Sequence, residues 1–261
     1  MKKIFCVASL AALFFSCTKQ DLPPGDQQIP GDVLAAVEKA GYSKEGVIRE
    51  EGGYIVEGDI FIAEQDLRTS PGWSTLTIAN TEQYHTNNLV KVNSSRVITI
   101  SLSSKFPATY AAGLDEAINR YNAERLGLQF QKVSSGGDIS IVVGNGNYIA
   151  SAGFPTSQGD PYGQVKLNSR YLGSDPGTDF LATIITHEVG HCIGFRHTDY
   201  MDRSFSCGGA ATNEGEGSIG AIHIPGTPTD PDRGSWMLSC ISRGQNRNFN
   251  TNDKDALDYL Y

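Results

Sequence analysis

Histidine, methionine and tryptophan are scarce in this chain, at five, three and two residues among 261. Five cysteines are too few to frame a fold of this length, so its core must be an ordinary hydrophobic one. There is no excess of basic charge either: 21 lysines and arginines stand against 29 aspartates and glutamates, a formal net charge of −8. That balance argues against electrostatic capture of nucleic acid or of an anionic lipid surface. Past the first residues no run is long and apolar enough to span a bilayer, and no internal repeat is evident. With 39% hydrophobic and 19% charged residues, the composition suits one good-sized core and an extra segment. Against this background the placing of the few histidines is informative, because three of the five fall within eleven residues.

Those residues run His187-Glu188-Val189-Gly190-His191-Cys192-Ile193-Gly194-Phe195-Arg196-His197. His187 and His191 are one helical turn apart, so both imidazoles leave the same face and can grip one metal ion. Glu188 follows the first ligand and can reach a water on that metal as general base. Gly194 lets the backbone leave the helix through a left-handed conformation that a Cβ would resist. The chain can then turn back and bring in His197. Three protein ligands leave a fourth tetrahedral position for water, which is the catalytic rather than the structural pattern of zinc. Satisfied histidines on a plain helix are the bland alternative, and it does not explain the clustering.

The N-terminus reads as an export signal. Lys2 and Lys3 precede an apolar stretch from Ile4 to Phe15 that is too short for a stable membrane span. Phe14-Phe15-Ser16-Cys17 then resembles the cleavage region of a bacterial lipoprotein signal peptide, with phenylalanine where leucine is usual. Residues 1–16 are therefore expected to be removed and Cys17 to be lipidated, anchoring an exported protein in the cell envelope, at the outer membrane or cell surface. A plain secretory signal with an incidental cysteine is the other reading. Loss of Lys2 and Lys3 takes the formal net charge from −8 to −10. Cys192, Cys207 and Cys240 remain in an oxidising compartment, where three thiols allow one bridge. The sequence does not settle the pairing. Cys207–Cys240 is the pair expected, with Cys192 a buried small hydrophobe on the metal helix.

Residues 17–31, with Pro23, Pro24 and Pro30, read as an extended tether. Asp32 is placed to cap a short helix from Val33 to Ala40, and Val47-Ile48, Tyr54-Ile55-Val56 and Ile60-Phe61-Ile62 are short strand candidates. Residues 32–95 thus hold a small α+β segment, either a prosegment or a permanent accessory region, with 67–94 irregular. From Arg96 the pattern is regular. Val97 to Leu102 alternates as a half-buried strand, and Pro107 to Arg125 has helical spacing. Leu128–Val133, Ile139–Val143, Tyr148–Phe154 and Gln164–Leu167 are strands, and Asp179 to Cys192 is the metal helix. The order is α+β, with residues 96–261 as one catalytic domain.

The full string HExxHxxGxxH, with Gly234-Ser235-Trp236-Met237 placing Met237 40 residues beyond His197, resembles the metzincin (zincin-like) metallopeptidases. The tail from Asn250 to Tyr261 is similar to the last helix of matrixins. HEVGHCIGFRHTD is similar to the dual-action HEIGH metallopeptidases, with Val189 in place of isoleucine. The resemblance implies a mixed twisted sheet, a zinc helix, and a Met-turn in which Met237 underlies the metal ligands. It implies one catalytic zinc ion on His187, His191 and His197, Glu188 as general base, and hydrolysis of internal peptide bonds. It also implies an extended peptide or protein substrate paired along an edge strand at Ala150, Ser151, Ala152 and Gly153. The loop Gly220 to Gly226 would form part of the pocket beyond the scissile bond. Ser239 stands where astacins carry a zinc-reaching tyrosine, so no tyrosine ligand is expected. Many matrixins bind calcium, and Asp160, Asp175, Asp179 and Asp199 are the oxygen ligands on offer, against a plainer reading as loop carboxylates and a helix cap. The region 18–95 has no cysteine for a cysteine switch apart from Cys17, and Asp59 or Asp66 are the acidic groups available to block the zinc. His223 and His85 are weaker functional candidates. A monomer is expected. A binding protein or adhesin keeping this scaffold without turnover is the alternative function, although no member of the ligand-plus-base set is missing.

Overall fold

The computed structural model describes residues 29–69, 83–211, 213–214, 220–228 and 230–261. The expected signal peptide, Cys17 and most of the tether lie outside the described residues. In chain order the elements are α1 (Gly31–Lys39), β1 (Ile48–Glu50), β2 (Gly53–Val56), β3 (Ile60–Ala63), α2 (Glu64–Thr69), β4 (Tyr84–His85), β5 (Arg96–Leu102), α3 (Thr109–Ala123) and β6 (Leu128–Val133). They continue as β7 (Ile139–Val143), β8 (Ala150–Ser151), β9 (Gln164–Leu167), α4 (Ser169–Leu172), α5 (Thr178–Ile193), α6 (Ser204–Cys207), β10 (Ile222–His223) and α7 (Thr251–Leu260).

The main sheet has the order β6-β5-β7-β9-β8. Its first four strands are parallel and β8 runs antiparallel at the edge, so the sheet is mixed and the fold is α+β. Alternation explains β5: Ile98 and Ile100 are buried against the helices while Val97 is half exposed on the other face. Helix α3 packs across α5 at Gly113, where a Cβ would come within 2.6 Å of the Leu181 side chain. Only glycine permits that approach. Within the main sheet the expected strand at Tyr148–Phe154 is paired only over Ala150–Ser151. Helix α1 begins one residue before Asp32, after Pro30, and Asp32 sits in its first turn rather than capping it.

Residues 29–69 form a second, smaller cluster in which Val33, Val37, Tyr42, Tyr54, Val56 and Ile60 pack together. It is docked on the main body through the sheet edge. Phe61 N–H donates to Ala152 O (2.8 Å) and Ala152 N–H to Asp59 O (3.1 Å), with Ile60 bridging Ala152 in parallel sense. Glu50 adds an ion pair to Lys166 (3.0 Å) and accepts from Tyr148 OH (2.9 Å).

Candidate metal centre

Helix α5 is buried from Phe180 to Ile193, as expected of a helix threaded through the middle of a core. It ends at Gly194, whose φ of +118° is left-handed. A Cβ there would also meet Leu89 at 2.7 Å and the Asn88 carbonyl oxygen at 3.0 Å, so glycine is required twice over. The chain reverses at this point, Arg196 N–H donates to Tyr84 O (2.8 Å), and His197 returns over the helix.

Each of the three imidazoles has its Nδ1 committed. His187 Nδ1 donates to Trp236 O (2.9 Å), His191 Nδ1 to Phe195 O (2.8 Å), and His197 Nδ1 to the Glu214 carboxylate (2.8 and 3.1 Å). Every Nε2 therefore presents a lone pair. The His197 Nε2 lies 3.2 Å from that of His191 and 3.3 Å from that of His187. Lone pairs so close repel unless a cation lies among them. Nitrogens held at about 2.0–2.1 Å from one tetrahedral zinc stand at roughly this separation. Burial disfavours charge on His197, yet the Asp59 and Glu214 carboxylates outweigh it and push its pKa well up. The surroundings favour positive charge at this ring, and the donor set fits a zinc ion.

A fourth group joins them. Asp59 Oδ2 lies 3.2 Å from His197 Nε2 and 3.4 Å from His187 Nε2. Asp59 with the three histidines is the one cluster of this kind among the described residues, its ligand atoms all within 4.8 Å of one another. Burial raises the Asp59 pKa, but the positive charge favoured at the neighbouring His197 and the approach of the other two rings bring it well below the usual carboxylate range. Asp59 follows a turn through Glu57 (φ +58°) and Gly58 (φ +100°), which aims it inward from the sheet edge.

Glu188 is buried, and its Oε2 has no hydrogen-bond partner among the described groups. Burial and then the Asp59 charge push its pKa well above the ordinary range. With His187 it lines a cavity of about 260 Å³ walled by Tyr148, Ile149 and Ala150 on one side and Leu238 to Ile241 on the other. The loop from Gly220 to Gly226 does not wall this cavity, contrary to expectation. Its Ile222 and His223 pair with β4 instead, and its Gly220 carbonyl accepts from Arg196.

Met237 is fully buried beneath α5. A Cβ on Gly190 would meet Met237 Sδ and the Trp236 ring at 2.7 Å, and Thr198 N–H donates to Met237 O (2.9 Å). The turn is held from below by Asp253, which accepts from Ser235 Oγ (2.9 Å) and Trp236 N–H (3.2 Å). The same carboxylate completes the capping box of α7. Asp199 accepts from Ser239 N–H and Oγ (2.9 and 2.8 Å), so Ser239 is turned to this carboxylate, with Glu214 at 3.2 Å from the same hydroxyl. Cys207 and Cys240 are joined (S–S 2.07 Å), and Cys192 is buried and free.

The remaining candidates are dispersed. Asp160 pairs with Arg96 and Asp179 with Arg120, Asp175 caps Gly177 N–H, and Asp199 is buried among serines, so the four do not gather as calcium ligands. Asp66 is exposed on α2. His223 contacts Thr227, and His85 Nδ1 donates to Thr86 O. The structure adds residues with no signal in the sequence: Glu214 behind His197, Arg196 buried between Glu57 (3.4 Å) and Glu214 (3.8 Å), and Arg247 on the cavity wall.

No curated protein matches the chain in sequence. Among solved structures the chain is similar to two of myroilysin, with TM-scores of 0.43 and 0.41 and 14% identity in each. Each match covers 66% of this chain, and 82% and 87% of those chains respectively. It is also similar to high choriolytic enzyme 1, a hatching-enzyme zinc protease from the medaka Oryzias latipes (TM-score 0.41, 18% identity, 66% and 92% covered). The family model of the dual-action HEIGH metallo-peptidases matches residues 54–261. Since that match runs from β2 through the histidine cluster to the last helix, the chain belongs to this family of metallopeptidases, and its three-histidine donor set fits zinc.

Proposed function

We propose that the protein is an endopeptidase of metzincin type, made as a latent form. The observation that carries the reading is the unpartnered, buried Oε2 of Glu188 on the wall of the cavity that also exposes His187. An orphaned carboxylate oxygen is costly in a folded protein and calls for a function. Zinc on His187, His191 and His197 supplies Lewis acidity, bringing the pKa of water down towards ~7 and polarising the scissile carbonyl. Glu188 takes the proton from the attacking water and delivers it to the leaving amine. Met237 and Trp236 support α5 from below and keep the three rings in register.

The edge at Ala150, Ser151, Ala152 and Gly153 offers main-chain groups to an extended peptide. The chain's own Asp59–Phe61 stretch is paired there, and the Asp59 carboxylate lies beside the histidine nitrogens, where it would hold the metal as a fourth protein group. Within the 32–95 region, the cluster that ends at Thr69 accordingly acts as a prosegment whose detachment frees both the edge and the metal, while Tyr84, whose carbonyl accepts from Arg196, stays with the catalytic body. The protein is exported as a monomer and held at the bacterial cell envelope by lipidated Cys17.

Zinc analysis and N-terminal sequencing of purified wild type and Glu188→Ala test the proposal together. One zinc per chain in both, peptide hydrolysis in the wild type alone, and a new N-terminus beyond Asp59 in the active species are expected. Absence of zinc, or unchanged hydrolysis by Glu188→Ala, would overturn it. Glu188→Ala hydrolysing nothing while still binding zinc also separates this reading from a binding protein that never turns over.

A further inference from the structure

The cavity beside the metal ligands is apolar over most of its wall, with Ile184, Trp236, Leu238 and Ile241 among its lining. Its charged groups are Asp59, Glu188, Arg203 and Arg247. Three of these have partners or a proposed role: Asp59 faces the histidines, Glu188 is the proposed base, and Arg203 Nε is ion-paired to Glu214 at 3.0 Å. Arg247 differs. It has no carboxylate within ion-pairing distance among the described residues. Its Nη1 donates to Cys240 O (2.8 Å), its Nη2 reaches Gln245 Oε1 only at 3.4 Å, and its buried Nε has no partner.

Its position is fixed from several sides. Arg247 N–H donates to Thr183 Oγ1 (3.0 Å), and its carbonyl accepts from Thr183 Oγ1 and Arg120 Nη1 (both 3.3 Å). Cys240, whose carbonyl orients the guanidinium, is tied down by the bridge to Cys207. Burial lowers the Arg247 pKa more than the distant Asp199 and Asp253 charges raise it. A guanidinium held in place in an apolar recess, with an Nη2 engaged only by one long bond to Gln245, is suited to receive a carboxylate.

We propose that Arg247 makes this cavity a carboxylate-binding subsite for the residue on the C-terminal side of the scissile bond. The inference rests on the peptidase reading. Glu188 returns its proton to the leaving amine, and that amine belongs to the residue after the cleaved bond. The cavity that Glu188 lines is therefore the one that residue enters. At about 260 Å³ it holds one side chain rather than a larger ligand. The carboxylate comes either from an aspartate or glutamate side chain or from the free C-terminus of a short substrate.

Two peptide pairs distinguish these sources, assayed with the zinc-loaded full chain and with its Asp59→Ala variant. In one pair an internal peptide carries glutamate or glutamine after the scissile bond; in the other, a peptide ending at that residue is a free acid or an amide. Hydrogen bonds to a charged partner lead us to expect kcat/KM higher for the carboxylate member of at least one pair by about tenfold to a hundredfold. Arg247→Gln should reduce that ratio to within about threefold, and Arg247→Lys should keep an intermediate ratio. Cleavage of both members of both pairs at equal rates by the unmutated subsite overturns the inference and leaves the peptidase reading standing. Cleavage of no peptide by the zinc-loaded protein overturns both. The ratio in the unsubstituted protein decides even where an Arg247 variant fails to fold.

Discussion

Replacing Glu214 by glutamine should weaken zinc binding by about tenfold to a hundredfold, the usual effect of removing a carboxylate behind a ligating histidine. Glu214 is fully buried and receives the His197 Nδ1 proton at 2.8 Å. It also accepts from Ser239 Oγ (3.2 Å) and stands 3.0 Å from Arg203 Nε and 3.8 Å from Arg196 Nη2. Glutamine has nearly the same shape, and its amide oxygen can still accept from His197, so the ring stays in place. What disappears is the negative charge that makes the opposite nitrogen a better donor to the metal. The loss corresponds to about 1.4–2.7 kcal/mol of binding free energy. Arg203 loses its counter-charge as well, which adds about 1–3 kcal/mol of destabilisation, well inside the stability of a typical domain. The two effects are read separately, by competition for zinc against a chromogenic chelator and by urea unfolding of the zinc-loaded protein. A Glu214 that serves packing alone would lower the urea midpoint and leave the zinc dissociation constant within about twofold, and that result would refute the reasoning.

Two other substitutions follow from the same geometry. Asp59→Ala in the full chain removes the group lying 3.2 Å from His197 Nε2 and should raise peptide hydrolysis by at least about tenfold before any processing; equal initial rates for intact variant and intact wild type would show that Asp59 does not hold the chain latent. Gly190→Ala drives a methyl into Met237 Sδ and Trp236 at 2.7 Å, so overpacking should cost about 1–3 kcal/mol in thermal unfolding and shift the imidazoles. Zinc content measured on the same Gly190→Ala preparation should fall below one per chain, and an unchanged melting temperature would contradict the contact.

The metal helix was legible in the sequence because its information is local. An i, i+4 histidine pair, the adjoining Glu188 and the helix-ending Gly194 state their geometry within eight residues, and β5 states its faces by alternation. The rest depends on contacts that no local pattern records. Glu214 lies in a glycine-rich stretch with nothing around it to mark it as a histidine partner. Arg247 reads as one more basic residue until the Cys207–Cys240 bridge and Thr183 place it on the cavity wall. Asp59 and Asp66 were equivalent on sequence, both acidic and both in a small α+β segment. They separate only because the Glu57-Gly58 turn points one inward while α2 leaves the other at the surface. Within the main sheet the strand at Tyr148–Phe154 shrank to two residues because only that part of the edge runs alongside β9, while Ala152 pairs with Ile60 instead.

How the N-terminal segment finds its register is the step that links these parts. Its pairing to the edge at Ala152 amounts to two main-chain hydrogen bonds, each worth about 1 kcal/mol net, and such pairing tolerates a slip of neighbouring residues. A slip would carry Asp59 away from the histidines. Glu57 opposes it alongside the Glu50–Lys166 pair, because its carboxylate reaches Arg196 Nη2 at 3.4 Å in a site fully closed to solvent. The Glu57–Arg196 pair is a poor source of stability: burial and the neighbouring Glu214 push the Glu57 pKa well up, against the pull of Arg196. Its value lies in discrimination, since any other register leaves Arg196 without Glu57 and Glu57 without Arg196. Arg196 immediately precedes His197, so the residue that reads the register of the N-terminal segment is adjacent to the third metal ligand. Through the Glu57-Gly58 turn, the buried Glu57–Arg196 contact thus favours, with the Glu50–Lys166 pair, the register in which Asp59 meets the metal cluster.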